Sequence, residues 1–205
     1  MRPVFLATAV LGIFLVSTFA QGQDIPPPTE AELAALEQVK SLGGQVTTVA
    51  QTDPRVEIGY HLAADMVTDA SLAPLAGVNC VVTINLRGTP VTDTGLASIA
   101  GMTNLKKLHL EKTKITDAGL GHLKGLANLE YLNIYGTAVT DAGLDQLAGL
   151  TNLKKLYIWE TAITEEGQKR LKAALPNLQI TGAFIPPDEP VEAKKPAPPA
   201  APAAN

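Results

Sequence analysis

Three histidines, one cysteine and a recurring aspartate are the residues of this 205-residue chain whose types suit metal binding or catalysis. His61 and His109 fall at equivalent places in two strand-like segments with the segment of Asn85 between them. That puts them two strand spacings, roughly 10 Å, apart, too far to share one metal ion. His122 falls on a helical segment away from both. Asp69, Asp93, Asp117 and Asp141 each follow a Thr that reads as a helix N-cap. A carboxylate there complements the positive end of the helix dipole, so each aspartate is expected to serve its own helix. Cys80 is the only cysteine, which rules out an intramolecular disulfide and leaves a small buried thiol or a bond between chains. The chain holds no GxSxG, no Gly-rich phosphate loop and no CxxC. A non-catalytic protein without cofactor or metal is the expectation.

The aromatic residues are distributed differently. They make up 4% of the chain, yet Tyr131, Tyr135, Tyr157 and the only Trp, Trp159, crowd into two short segments. In both they alternate with the apolar Leu132 and Ile134 or Leu156 and Ile158. Alternation of this kind turns them to the face opposite the core. Tyr and Trp combine large contact area with a polar handle and so dominate binding hot spots. Asn133, Lys107, His109, Glu111 and Lys155 share the same outward rows. Together these nine residues form the expected binding site, with the four aromatic rings as one surface and Lys107, Lys155 and Glu111 as a polar rim.

The elements that position these residues repeat. Thr68, Thr92, Thr116, Thr140 and Thr164 are spaced by 24 residues. Eight and six residues before each stand Tyr60/Leu62, Ile84/Leu86, Leu108/Leu110, Leu132/Ile134 and Leu156/Ile158, and one residue before stand Val67, Val91, Ile115, Val139 and Ile163. The paired spacing is that of a short strand with one face buried. After the Thr, Leu120 and Leu123 or Leu144 and Leu147 fall three apart, as on one helical face. Each unit is strand, turn, short helix, turn, and one unit cannot bury its apolar side without stacked neighbours.

Leu105-x-x-Leu108-x-Leu110, Leu129-x-x-Leu132-x-Ile134 and Leu153-x-x-Leu156-x-Ile158 resemble the LxxLxL signature of the leucine-rich repeat family. The resemblance covers roughly residues 56–181. It implies an α/β fold: a right-handed solenoid bent into a short horseshoe, with a parallel sheet on the concave face and short helices on the convex face. It also implies a protein or peptide ligand on the concave sheet. The TDAGL segment is similar to variants in secreted bacterial repeat proteins and in F-box substrate receptors. Where the family usually carries Asn or Cys after LxL, this chain has Thr89, Thr113, Thr137 and Thr161, with Asp65 in the first turn. A Thr hydroxyl offers one donor proton and is expected to bond the backbone of the neighbouring turn.

Residues 1–20 carry Arg2, an apolar run from Val4 to Val16 and the small Thr18 and Ala20, the pattern of a signal peptide cleaved after Ala20. The alternative is an uncleaved membrane anchor. Residues 21–28 read as a linker and 29–55 as an N-terminal cap: a helix opened by Thr29 and Glu32, with the stripe Leu33, Leu36, Val39 and Leu42, followed by a hairpin whose second strand puts Val56, Ile58, Tyr60 and Leu62 on one face. Residues 56–185 hold about five repeats and a C-terminal cap to which Phe184 and Ile185 contribute, and 186–205 form a Pro/Ala-rich tail. The net charge of −4 and the lack of a basic run exclude nucleic acid as a partner. The function expected is that of a secreted or periplasmic binding module for a protein or peptide. Glycan binding by the Tyr/Trp patch, an enzyme subunit and an F-box-like receptor are the rivals.

Overall fold

The computed structural model describes residues 26–51 and 53–182. Seven strands lie side by side in chain order: β1 (Gln45–Thr48), β2 (Val56–Gly59), β3 (Val81–Asn85), β4 (Lys107–His109), β5 (Tyr131–Asn133), β6 (Lys155–Tyr157) and β7 (Gln179–Thr181). β1 runs antiparallel to β2, and every later pair is parallel. Parallel neighbours require crossovers, which here are 3-10 turns over His61–Met66 and Asp69–Leu75 and the short helices α2 (Asp93–Ala97), α3 (Asp117–Gly121), α4 (Asp141–Asp145) and α5 (Glu165–Ala174). Ile84, Leu108, Leu132 and Leu156 are in register and fully buried, and Leu120, Leu123, Leu144 and Leu147 meet them from the helix side. β7 adds a strand that the five-repeat reading omits. Its Ile180 pairs with Leu156 and continues the inward row.

The cap helix α1 (Glu30–Ser41) starts with the expected capping box, in which Thr29 Oγ1 accepts from Glu32 N and Glu32 Oε2 accepts from Thr29 N. The other Glu32 oxygen accepts from Asn79 N at 2.7 Å and ties the cap to the first full turn. Leu36 and Val39 are buried, but Leu33 and Leu42 are 50% and 41% exposed, so the buried stripe is narrower than expected. Gly43 ends the helix at φ +88°. Gly44 follows because a Cβ there would collide with Val39 and Tyr60.

The first turn departs from the 24-residue spacing. Ile58 pairs with Ile84 and Gly59 with Asn85, so the inward pair is Ile58 and Tyr60 rather than Tyr60 and Leu62. The strand thus lies 26 residues ahead of its successor, and the 3-10 turn His61–Met66 absorbs the difference before Val67 and Thr68 rejoin the repeat. Leu62 is 68% exposed in consequence. His61 is not the strand equivalent of His109; Gly59 and Asn85 are. Ala63, whose N–H donates to Tyr60 O as that of Thr89 does to Leu86 O, takes the place assigned to Asp65.

The polar ladder also differs from the expectation. Thr89, Thr113, Thr137 and Thr161 donate their hydroxyls to the carbonyls of Leu86, Leu110, Ile134 and Ile158, inside their own turns. Bonds between turns come from Asn104, Asn128 and Asn152, whose amides donate to Asn79, Thr103 and Ala127 carbonyls one turn back. They come also from the aspartates, which do not serve their own helices alone. Asp69, Asp93, Asp117 and Asp141 each accept the N–H and the hydroxyl of the Thr in the following turn. A Cβ on Gly95, Gly119, Gly143 or Gly167 would overlap the Asp carboxylate of the preceding turn. The Gly three places after each of these Thr is therefore the space that the preceding turn's Asp occupies. Ser71 stands at that place in the first turn, where no Asp precedes it.

Phe184, Ile185, the segment 1–20 and the tail 186–205 lie outside the described residues.

Candidate functional site

The outward residues of the strands share one face. Register aligns Lys107, Tyr131 and Lys155 in one row across β4, β5 and β6, and His109, Asn133 and Tyr157 in the next. Glu111, Tyr135 and Trp159 follow just past the strand ends.

Three of these rings form a run. His109 and Tyr131 have centroids 4.8 Å apart, and Tyr131 and Tyr157 are 5.3 Å apart, tilted by 37° and 40°. Tilted pairs at such distances suit the ring quadrupole. Burial, opposed by the Asn133 bond and supported by the Glu111 charge, pushes the Tyr131 phenol above its ordinary value. Tyr135 and Trp159 make no ring pair among the described residues, so the four aromatics are not one continuous surface. Tyr135 instead donates its hydroxyl to Glu160 at 2.7 Å and lies under the Lys112 ammonium, 5.5 Å from the ring centroid. Lys112 and Glu160 both have φ 54°, at the place where other turns use Gly88 and Gly136. A left-handed conformation costs a non-glycine residue about 1–2 kcal/mol, and here it carries two side chains that hold Tyr135. Trp159 is 43% exposed.

Glu111 does not belong to a rim. It is 8% exposed, and its Oε1 receives the Asn133 amide at 2.7 Å and lies 3.0 Å from His109 Nδ1. Asn133 Oδ1 accepts Tyr135 N–H, so this amide is used at both ends. The effect is to fix His109 and Asn133 between the aromatic side chains. Lys107 and Lys155 are exposed, as a rim requires.

Two features were missed in the sequence. A groove of about 340 Å³ runs along the strand starts between Lys106, Lys107, Glu130, Tyr131, Lys154 and Lys155. Its Lys106 and Lys154 look like loop residues in the sequence, and only the repeat of Lys-Lys at an interval of two turns signals it. A second hollow of about 320 Å³ opens beside Gly59, Thr83 and Asn85, where short side chains leave the sheet uncovered between the cap hairpin and His109. Among the described residues no group of three or more His, Cys, Asp or Glu could hold a metal ion.

A parallel sheet built from LxxLxL turns with one short helix per turn defines a leucine-rich-repeat solenoid. The profile of the leucine rich repeat family matches residues 103–163, the stretch that holds all three LxxLxL segments. The sequence matches no functionally curated protein. Among solved structures it is similar to an internalin C2 from Listeria monocytogenes, at 22% identity over 78% of this chain and 89% of that one, with a TM-score of 0.42. It is also similar to a leucine-rich-repeat protein of Leptospira interrogans, at 18% identity over 54% and 33% of the two chains and a TM-score of 0.39. The actin-binding site 2 of leiomodin-1 aligns at 20% identity over 70% and 87%, with a TM-score of 0.49.

Proposed function

We propose that this chain is an exported, non-catalytic binding module that engages a protein or peptide through the concave face of its sheet. The observation that supports this most is the His109–Tyr131–Tyr157 run, three adjacent half-buried rings on a face that no other part of the described chain covers. Their surroundings are set by buried hydrogen bonds through Glu111 and Asn133, so the surface is held in place before a partner arrives. Preorganisation of this kind reduces the ordering cost of binding. Export rests on the Arg2, apolar run and Ala20 pattern of residues 1–20. None of the described helices is long and apolar enough to cross a membrane.

Selection of a randomised peptide library on the full chain tests the binding role. Enriched peptides that bind the wild type and lose affinity in Tyr157→Ala support it, and peptides indifferent to Tyr157 move the site elsewhere. Intact-mass analysis from the native host tests export, with Gln21 the expected first residue and retained Met1 in a membrane fraction the contrary result.

A further inference from the structure

We propose that the partner is an acidic, extended peptide segment whose carboxylates seat on Lys107 and Lys155, one on either side of Tyr131. This rests on the concave-face reading above and adds the partner's charge and spacing to it. The protein carries a net charge of −4, yet four lysines, Lys106, Lys107, Lys154 and Lys155, gather around the single carboxylate of Glu130 in the groove at the strand starts.

Glu130 is already occupied. Lys154 Nζ lies 2.6 Å from one of its oxygens and Lys106 Nζ 3.9 Å from the other. The Lys154 hydrogen bond foremost, working against burial, holds the Glu130 carboxyl below its usual range. That leaves Lys107 and Lys155, both exposed, with no carboxylate within ion-pair distance among the described residues. Two cations without an ion-pair contact, flanking a ring, attract an anion and orient it.

The spacing narrows the ligand. Lys107, Tyr131 and Lys155 occupy one row on three adjacent strands, so the two lysines are rooted two strand spacings, roughly 10 Å, apart. An extended peptide in the polyproline II conformation advances roughly 3.1 Å per residue and returns to the same face every third residue, so acidic residues at i and i+3 span that interval on one side. The segment between them would rest against the Tyr131 and Tyr157 rings. A neutral sugar fits this face less well than an acidic peptide, because Asn133 is committed to Glu111 and Tyr135 N, and the Tyr135 hydroxyl to Glu160. The Tyr157 hydroxyl and the Trp159 N–H could still serve it, but they leave the two ammonium ions unanswered.

The same peptide selection on the full chain decides the matter. Enriched sequences should carry Asp or Glu three residues apart. Resynthesised, they should bind the double variant Lys107→Gln, Lys155→Gln about tenfold or more weakly, with affinity falling as salt is added. Its thermal midpoint should stay that of the wild type, since both side chains are exposed. Enriched peptides that are neutral yet sensitive to Tyr157→Ala would overturn the acidic class and leave the concave-face reading standing. Peptides indifferent to both sets of variants would overturn both. Binding of polygalacturonate with no peptide enriched would replace the peptide by an acidic polysaccharide and overturn the proposal.

Discussion

Asp93 bonds out of its own turn: its Oδ2 accepts the Thr116 hydroxyl at 2.6 Å and its Oδ1 accepts the Thr116 N–H at 2.8 Å. The same Oδ1 fills the space that a side chain at Gly119 would need. Removing the carboxylate in Asp93→Ala should cost about 1–3 kcal/mol, because it strands a backbone donor and a hydroxyl. Gly119→Ala should cost a similar amount, about 1–3 kcal/mol, through overpacking. The double variant should lose much less than the two added together, since the alanine then enters vacated space. Urea denaturation of the four proteins measures the coupling. Simple additivity would mean that the glycine is there for another reason.

At the end of the ladder, Asp141 predicts how the fold responds to acid. Burial raises its pKa, but the Thr164 hydroxyl and N–H, with Arg170 nearby, outweigh burial and hold the carboxyl below its ordinary value of 3.8. A carboxyl depressed in the folded state contributes stability above the unfolded pKa, and that contribution is lost as pH falls through the folded one. Stability should therefore be flat near neutrality and decline below about pH 4 as this carboxylate protonates. Asp141→Asn should flatten that decline while lowering stability at pH 7. An unchanged acid limb would show that other groups control it.

The sequence showed the repeat well where every turn obeys it. Inward leucines, capping threonines and the cap helix are local patterns, and the structure has them where the spacing put them. It misled in the first turn, because aligning on Thr68 assumes that the strand before it keeps its distance. The two extra residues there are visible only once Ile58 is seen paired with Ile84. The Asp–Thr bonds were misread for a related reason. An aspartate directly after a capping Thr suggests a role at its own helix, and nothing in one turn says that its carboxylate points to the next. The end turns do carry the clue, with Ser71 where no Asp precedes and Glu165 where no further Thr follows. On the face, pattern alone placed Glu111 among exposed residues; its burial depends on Asn133 and His109 in neighbouring strands.

Cys80 stands where Asn104, Asn128 and Asn152 make bonds between turns, and it is 1% exposed. Burial foremost, with the Glu32 charge, pushes its thiol pKa up. A thiol that is both covered and protonated is a poor nucleophile. It should label with a thiol reagent only as the protein unfolds, and the purified chain should run as a monomer on a non-reducing gel. A disulfide-linked dimer, or fast labelling of the native protein, would show that Cys80 reaches solvent. Cys80→Asn should cost stability rather than restore the missing bond, because the larger polar amide would enter a fully buried position of the core cluster.

The aromatic run makes a sharper prediction than four independent rings would. Tyr131 and Tyr157 touch, whereas Trp159 stands apart and 43% exposed. For a peptide selected on the wild type, Tyr157→Ala and Trp159→Ala should each weaken binding by about 2 kcal/mol, the size of an interface hot spot. Trp159→Ala should leave the thermal midpoint nearly unchanged, since an exposed side chain holds little of the core. Removing Tyr131 and Tyr157 together should cost less affinity than the sum of the single losses, because each ring positions the other. Tyr131 and Trp159 form no ring pair among the described residues, so their losses should add. His61→Ala, in the 3-10 turn beyond the strands, should change neither affinity nor stability. Calorimetric titration of these variants separates the cases. Strong coupling between Tyr131 and Trp159 would mean that the partner, rather than the sheet, joins the two parts of the face, and no loss in either single variant would remove the aromatic row from the binding site.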